Sequence, residues 1–356
     1  MHYFIFPEKD SFVSNANNFK NDNFGMDAVL EIDKIYSTGL SDTYYTRALV
    51  KFDSNAISQS LADNSVVNPT FTLNLKVVDA KEIPLDYTIE CFPISQSWDM
   101  GRARKYDHIT DGVSWKSRSV GLDSGSFWVY ADTSSFSDKT GGGTWYTSST
   151  STQSFSYEVA DIKMDVTNIV NQWLSGSIPN EGFILKHTDA AEQDKKNYGQ
   201  LRFYSKDTNT IYCPYLDISW DDSAFSTGSL LPVSSSVSKV AYISNLSSQY
   251  EAGSTVRLNV FSREKYPVKT FSHSSDYLAI RYLPSTTYYA IQDVESEEMV
   301  LNFDSNTKVS CDSNGNYFML NMGGLAQERY YKIILKVVQS GQVEYFDNNS
   351  PFKITR

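Results

Sequence analysis

The stretch Asp165-Val-Thr-Asn-Ile-Val-Asn-Gln-Trp-Leu-Ser-Gly-Ser-Ile-Pro-Asn-Glu-Gly-Phe183 predicts one short helix that ends sharply and leads into a strand. Its apolar residues follow the i, i+3, i+4, i+7, i+8 spacing of a buried helix face: Val166, Ile169, Val170, Trp173 and Leu174. Asp165 stands where an N-cap acceptor belongs, and Gly176 where a left-handed stop belongs. Pro179 prevents a restart, and residues 182–186 are predicted to form a strand.

The remaining sequence favours strands and turns. Tyr, Phe, Val, Ile, Thr and Ser dominate, and long helical runs are missing. In the predicted strand 45–52, Ala48, Val50 and Phe52 share one face, and Arg47, Leu49 and Lys51 share the other. A lone amphipathic helix cannot make a core, so we expect it to close the end of a sheet structure. The fold class predicted is therefore all-β.

Length and composition indicate two domains. The chain has 356 residues, and a Ser-rich segment without clear periodicity, 223–238, follows the last of its six tryptophans. We interpret 1–222 as a jelly-roll-like β-sandwich with one short helix and 223–238 as a linker. Residues 239–356 show strands at the spacing of an Ig-like β-sandwich, with a hairpin signal at Asn314-Gly315.

Charge and cysteine content limit the function classes. The formal net charge of −11 argues against a nucleic-acid-binding surface, which needs clustered Lys and Arg. Cys91, Cys213 and Cys311 are far apart and fit no zinc spacing, so we expect buried thiols and folding in a reducing compartment. The N-terminus lacks the basic region of a signal peptide, and no apolar run reaches the roughly 18 residues of a membrane span.

The order of motifs in residues 10–220 resembles the DNRLRE, or disaggregatase-related, family. It is carried by Asp10-Ser-Phe-Val13, Asn23-Phe-Gly25, Leu30-Glu-Ile32, Arg47-Ala-Leu-Val-Lys-Phe-Asp53, Trp98 with Gly101, Gly112-Val-Ser-Trp115, Asp165-Val-Thr167, Trp173-Leu174, Gly182-Phe-Ile-Leu-Lys186, Phe203-Tyr-Ser205 and Pro214-Tyr-Leu-Asp-Ile-Ser-Trp220. This resemblance implies a jelly-roll-like sandwich module, of a kind that in some members binds carbohydrate. The long Trp- and Gly-containing segment 95–156 departs from a compact member.

Residues 239–356 are similar to the C-terminal parts of virion structural proteins from T4-like tailed phages. The similarity is carried by Tyr250-Glu-Ala-Gly-Ser254, 257–267, 283–289, Gln327-Glu-Arg-Tyr-Tyr-Lys332 and Phe346-Asp-Asn-Asn349. The same proteins carry a DNRLRE-like first half with a segment resembling 201–212. The pairing implies a particle component that is made in the host cytoplasm and located in the virion. Its position there, whether tail, baseplate, neck or capsid surface, stays open, as do its neighbours and copy number.

Enzyme and metal motifs find little support. His2, His108, His187 and His273 are isolated, and there is no HExxH or GxSxG pattern. A glycan hydrolase would need a facing carboxylate pair; the candidates are Asp107, Asp111, Asp189, Glu192, Asp194, Asp217, Asp221 and Asp222. We interpret these as solvated surface charge. The loop 311–317 lacks an EF-hand pattern and is expected to be a hairpin turn. We predict no catalytic residue, cofactor or metal.

The aromatic segment holds the candidate binding residues. Trp128, Tyr130, Trp145 and Tyr146 lie in Gly- and Ser-rich surroundings, where an exposed ring could stack on a sugar or anchor a protein neighbour. Trp98 and Trp115 are expected in the core. The sequence therefore predicts a non-enzymatic virion protein that works by protein–protein assembly. The alternatives are a carbohydrate-binding module for a host-surface glycan and, less favoured, a glycan hydrolase.

Overall fold

A computed structural model of the chain describes residues 1–37, 42–64, 66–81, 83–120, 127–128, 141–157, 161–235, 237–267 and 276–356. The chain divides into two compact units, one of Phe4–Ile218 and one of Ser219–Arg356 with Met1–Tyr3. We call these the first and second units. Strands are the main regular structure of both units, at 43% of residues against 8% in helices, so the all-β prediction with sandwich-like sheets is confirmed.

Within the described residues, thirteen strands lie between His2 and Ser219. They are β1 (His2–Ile5), β2 (Lys9–Ser14), β3 (Val29–Glu31), β4 (Lys34–Ser37), β5 (Asp42–Lys51), β6 (Thr70–Leu75), β7 (Val77–Lys81), β8 (Tyr87–Pro93), β9 (Ser151–Phe155), β10 (Ile162–Asp165), β11 (Phe183–His187), β12 (Gln200–Tyr204) and β13 (Tyr215–Ser219). The sheet orders are β1-β13-β6-β10, β2-β5-β11-β8-β9 with β4 also on β5, and β3-β12-β7.

Twelve strands follow within the described residues. They are β14 (Leu231–Pro232), β15 (Lys239–Ile243), β16 (Gln249–Glu251), β17 (Thr255–Glu264), β18 (Arg281–Tyr282), β19 (Thr287–Asp293), β20 (Met299–Leu301), β21 (Ser310–Asp312), β22 (Gly315–Asn321), β23 (Tyr330–Gln339), β24 (Gln342–Asp347) and β25 (Phe352–Thr355). One sheet runs β15-β17-β22-β21, another runs β16-β25-β23-β19-β20 with β24 also on β23, and β14 pairs with β18. The predicted Asn314-Gly315 hairpin joins β21 to β22.

The helix predicted from the opening stretch is α2 (Thr167–Leu174). Its predicted core residues Val166, Ile169, Val170 and Trp173 are all buried, and Gly176 has the left-handed φ of +71°. The N-cap position of α2 is Val166 and not the predicted Asp165; the Asp165 carboxylate, one residue earlier, accepts the N–H of the first helical residue, Thr167, at 2.9 Å. Leu174 is 37% exposed, so its assignment to the buried face was wrong, because the last turn passes beyond the covered edge.

The described residues contain two helices besides α2. These are α1 (Ser54–Asp63), whose N-cap Asp53 accepts the Asn55 N–H at 3.0 Å, and α3 (Asp189–Gln193), capped by Thr188. For these two stretches the sequence indicates a helical turn around Ile57 and Leu61, where α1 forms, and a charged loop over 189–197, where the structure has α3. Both helices are short and start at a side-chain cap, so their formation depends on caps and tertiary packing more than on a long apolar period.

The segment predicted as a linker, 223–238, is instead part of the second unit. Strand β14 pairs in parallel with β18, and the Val233 N–H donates to the Tyr282 carbonyl at 3.0 Å. Val233 is buried at 1% exposure. The serines gave this segment a linker-like composition, but a single apolar anchor and a short ladder are enough to hold it to the sheet.

Asn23 ties its own turn to the segments around Met100 and Val113 through its side-chain amide. Its side-chain nitrogen donates to the carbonyls of Met100 and Val113 at 2.7 and 2.9 Å, and its oxygen accepts the Gly25 and Ala103 N–H groups at 3.1 Å. A Cβ on the neighbouring Gly101, where φ is +78°, would lie 2.2 Å from the Asn23 side chain. The glycine is therefore required by the close approach of a buried amide.

Replacing Trp173 tests the packing of α2. The indole lies 4.6 Å from the Phe183 ring, centroid to centroid, and is 8% exposed. We expect Trp173→Ala to lower the free energy of unfolding by about 3–5 kcal/mol, because the cavity cannot be refilled. Chemical denaturation measures this, with exposed Leu174→Ala as the matched control. A loss for Trp173→Ala as small as that of the control would contradict the packing.

Two buried carboxyl groups make the stability pH-dependent. Burial raises the pKa of Asp10 to about 7, and burial together with the nearby Glu31 carboxylate raises the pKa of Asp33 to about 7. The folded chain thus holds more protons than the unfolded chain between pH of about 4 and 7, so these groups lose stabilising effect as pH rises through that window.

We therefore expect Asp10→Asn to be more stable than the parent chain at pH 8, with the gap shrinking as the pH falls to 5. Asp194→Asn should instead be less stable than the parent chain at pH 8. Burial there is outweighed by hydrogen bonds from Tyr198 and Lys196 and by the charge of Lys34, which together lower the pKa of Asp194. Urea unfolding at both pH values measures the two gaps. A gap for Asp10→Asn that does not depend on pH would refute the assignment.

Candidate functional site

The structure places the four predicted contact residues differently from one another. Trp128 is 5% exposed and Trp145 is 8% exposed, so both rings are buried. Tyr146 is half-buried, and Tyr130 lies outside the described residues. Because the two indoles do not face solvent, they cannot form an open stacking platform in this conformation of the chain.

Four tryptophans share one hydrophobic cluster, which we call the aromatic cap: Trp98, Trp115, Trp128 and Trp145. The cluster also contains Val13, Leu49, Phe92, Ile94, Val113 and Ile184. The Trp98 and Trp128 Nε1–H groups donate to the carbonyls of Glu181 and Ser114 at 2.9 and 3.0 Å. The burial predicted for Trp98 and Trp115 is confirmed, and the described tryptophans of segment 95–156 share their cluster with Leu49 and Ile184 of the sheet.

Arg47 of β5 lies against the aromatic cap. Its Cζ is 4.8 Å from the Trp115 ring centroid and 5.1 Å from that of Trp145. Its Nε and Nη2 donate to the two carboxylate oxygens of Glu192 at 2.9 and 2.6 Å. Arg47 is 6% exposed and Glu192 3%, so this is a buried, bidentate ion pair with rings against the cation.

The glycine run 141–143 closes over the same guanidinium. The Gly142 carbonyl accepts a hydrogen bond from Arg47 Nη1 at 2.8 Å. A Cβ on Gly142 would lie 2.6 Å from Nη1 and 2.6 Å from the Trp115 ring, and its φ is +82°. Only glycine fits here without moving the cation or the indole.

Lys186 of β11 extends the ion pair into a network. Its Nζ lies 2.5 Å from an Asp189 oxygen, 3.6 Å from Glu192 Oε2 and 3.8 Å from Glu90 Oε2, and its side chain is fully buried. Burial raises the pKa of Glu90, and Lys186 opposes that effect. The prediction that Glu192 is solvated surface charge was wrong, because α3 turns it inward beneath the aromatic cap.

His187 lies beside this network and is fully buried. Neither ring nitrogen makes a hydrogen bond of normal geometry, and the ring packs 5.8 Å from Tyr87 and 5.7 Å from Tyr198. Burial lowers the pKa of His187 to about 3, so the imidazole is neutral at physiological pH. It acts as an aromatic core residue, and no sequence pattern around His187 predicts this.

The charged groups of this network are occupied by one another. Both oxygens of Glu192 are held by Arg47, and one also faces Lys186, so the strongest acid–base candidates neutralise one another. Within the described residues, no group of three or more His, Cys, Asp or Glu side chains is placed to hold a metal ion. The three cysteines are free thiols; Cys91 and Cys311 are buried, and Cys213 is partly exposed.

No protein-family model and no curated protein matches the chain. Among solved structures, β-glucuronidase 3 of Bacteroides uniformis is 8% identical over 87% of this chain and 26% of its own, with a TM-score of 0.18. A Parabacteroides merdae β-glucuronidase is 9% identical over 80% of this chain and 27% of its own, with a TM-score of 0.17. A DUF4785 family protein of Legionella pneumophila is 8% identical over 98% of this chain and 65% of its own, with a TM-score of 0.18. The chain spans about a quarter of the two glucuronidases' length, and likenesses this weak assign no function. None of the described helices has the length and apolar character to span a bilayer.

Breaking the ion pair on one side tests its role. Arg47→Met leaves Glu192 buried with only Lys186 near it, so we expect a loss of about 3–5 kcal/mol in unfolding free energy. The double variant Arg47→Met with Glu192→Leu should lose less than the sum of the single variants, because it removes both charges. The control is Arg257→Met, which breaks the exposed pair with Asp312 and should cost about 0–1 kcal/mol. If the loss in the double variant equals the sum of the two single-variant losses, Arg47 and Glu192 are not coupled.

Proposed function

We propose that this chain is a non-enzymatic structural component of a tailed-phage virion that works by protein–protein assembly. The observation that carries the proposal is an exposed aromatic face on the second unit. The resemblance of both halves of the sequence to virion proteins supports the particle context. A position in the tail, baseplate or fibre attachment is favoured over the capsid shell.

The outer aromatic face consists of Tyr288, Phe303, Lys336, Val343 and Tyr345. In the antiparallel register Lys336 pairs with both Tyr288 and Tyr345, and Val338 pairs with Val343, which puts these side chains on one side of the sheet. Lys336 Nζ lies 5.8 Å from the Tyr288 ring and 5.6 Å from the Phe303 ring. Tyr345 is 60% exposed and Val343 48% exposed.

This face has the composition of an interface. Adjacent exposed aromatic and aliphatic side chains on a rigid sheet mark binding surfaces, and Tyr is enriched at their centres. The ring centroids of Tyr345 and Phe303 lie 5.8 Å apart, so each ring has the other as a packing neighbour.

The glycan-binding alternative draws less support. It needs rings exposed on one face of the first unit, whereas Trp128 and Trp145 are packed in the aromatic cap. Of the four predicted residues, Tyr146 is the described one that reaches the surface in part. A lone half-buried ring offers little area for stacking on a sugar.

The test is incorporation into particles. Mass spectrometry and a density map of purified particles should find the chain, and its absence from both would sink the proposal. The double variant Val343→Ser with Tyr345→Ser should reduce incorporation at least about tenfold, since each loses an apolar contact of roughly 1–2 kcal/mol. Tyr266→Ser, at a 74% exposed ring outside the outer aromatic face, is the matched control and should incorporate normally. Equal melting temperatures exclude misfolding as the cause.

A further inference from the structure

A pocket of about 280 Å³ opens at one edge of the second unit. Its apolar wall residues are Ile243, Leu246, Ile333 and Pro351, and its polar lining comes from Ser244, Ser247, Ser248, Asn348 and Ser350, with Tyr242 completing it. Ile333 is 6% exposed and forms the floor between the two sheets. No charged side chain belongs to the lining, so the pocket suits an uncharged group.

The hydrogen bonds of β15 fix which backbone groups face this pocket. The Ser244 N–H donates to the Asn259 carbonyl at 2.8 Å, and the Ser238 carbonyl accepts the Lys265 N–H at 2.8 Å. Even-numbered residues of β15 therefore bond to β17, and odd-numbered residues point the other way. The Ala241 carbonyl confirms this, because it accepts from Asn348 Nδ2 at 3.1 Å on the outer edge.

Ile243 is where that edge is open. Strand β15 ends its sheet, so the outward N–H and C=O of Ile243 meet no neighbouring strand among the described residues. The earlier part of this edge is occupied, since the Asn348 side chain donates to the Ala241 carbonyl, and the Lys239 side chain donates from Nζ to Glu344 Oε1 at 2.5 Å. An unpaired donor and acceptor thus stand beside an apolar pocket, which are the two elements of recognition by strand addition.

The rim hydroxyl groups disfavour a sugar as the occupant. Ser244 donates to the Asn259 carbonyl at 3.2 Å, Ser350 donates to the Asn348 carbonyl at 3.2 Å, and Ser247 accepts the Gln249 N–H at 3.4 Å. These groups already serve the chain's own backbone, while a sugar needs several free polar partners. The apolar floor offers it none.

We propose that this edge binds an extended, uncharged segment of a partner protein. The segment pairs with the backbone of Ile243 and inserts one aliphatic side chain onto Ile333 between the sheets. That the partner is a neighbouring virion subunit rests on the proposed function; the peptide chemistry of the pocket does not. The site is separate from the outer aromatic face, so the two can be tested independently.

The probe is a set of capped seven-residue peptides, Thr-Val-Thr-X-Thr-Val-Thr, with X as Gly, Ala, Leu or Lys. Fluorescence anisotropy with the full chain measures their affinities. We expect Leu to bind at least about tenfold tighter than Gly, because it buries an aliphatic side chain, and Lys to bind no better than Gly. N-methylation of the Leu peptide at X and its two Thr neighbours should abolish binding without altering the protein.

Two variants of the chain complete the test. Ile243→Pro removes the outward N–H but no bond to β17, a position where an edge strand tolerates proline, and should abolish binding of the Leu peptide. Leu246→Ala shortens the pocket wall and should lower the preference for Leu over Gly. Leu231→Ser, which changes a 60% exposed side chain elsewhere in the unit, is the control and should bind as the parent does.

Affinities that ignore X and N-methylation would overturn the proposal. So would displacement of the Leu peptide by millimolar glucose, galactose or mannose, which would make the pocket a sugar site. If the chain is found in particles but these peptides do not bind, the edge site falls and the structural role stands. If the peptides bind but particles lack the chain, the edge site stands and the structural role falls.

Discussion

The first unit depends on the buried ion pair between Arg47 and Glu192. A charge taken out of water is costly unless its hydrogen-bonding capacity is met, and here named groups of the first unit pair with the guanidinium donors. Glu192 takes two donors of the guanidinium, the Gly142 carbonyl takes a third, and indole rings of the aromatic cap lie against its faces. The described part of segment 95–156 is tied to this cation, because moving Gly142 or the indoles would remove one acceptor and the rings that lie against it.

This constraint explains why β5 is buried on both faces. An alternating strand in an antiparallel sheet usually has one solvent-exposed side, and β5 has such a pattern, with Arg47 and Lys51 on the second side. The aromatic cap covers that side, so Leu49 is as fully buried as Ala48 and Val50. The arginine is then an internal anchor for the covering segment, and its partner lies 145 residues away in the chain.

Sequence patterns predicted what depends on neighbours within a turn or two. The buried face of α2, its glycine stop and the Asn-Gly hairpin each follow from local periodicity or a required φ. Glu192 could not be found this way, because nothing near it in the chain distinguishes an inward carboxylate from a solvated one. Val233 is similar: serines surround it, and only the parallel strand β18 shows that it is an anchor. The glycines 141–143 were visible in sequence, but their neighbours were not: a Cβ would lie 2.2 Å from the Trp115 carbonyl oxygen at Gly141, 2.6 Å from the Arg47 guanidinium at Gly142 and 2.7 Å from Ile184 at Gly143.

The two units use their aromatic residues in opposite ways. In the first unit, the described tryptophans of segment 95–156 are packed inward, and their donors serve internal carbonyls, which makes a rigid body with little ring surface to offer. In the second unit, tyrosines stand on the outer face of a sheet whose inner face is already filled by Tyr289, Leu335 and Phe318. A side chain that is not needed for the core and yet is apolar and ordered costs solubility without adding stability. Contact with another molecule is the physical circumstance in which that cost is offset, and this is the argument behind the proposal that the chain binds its partners through the second unit.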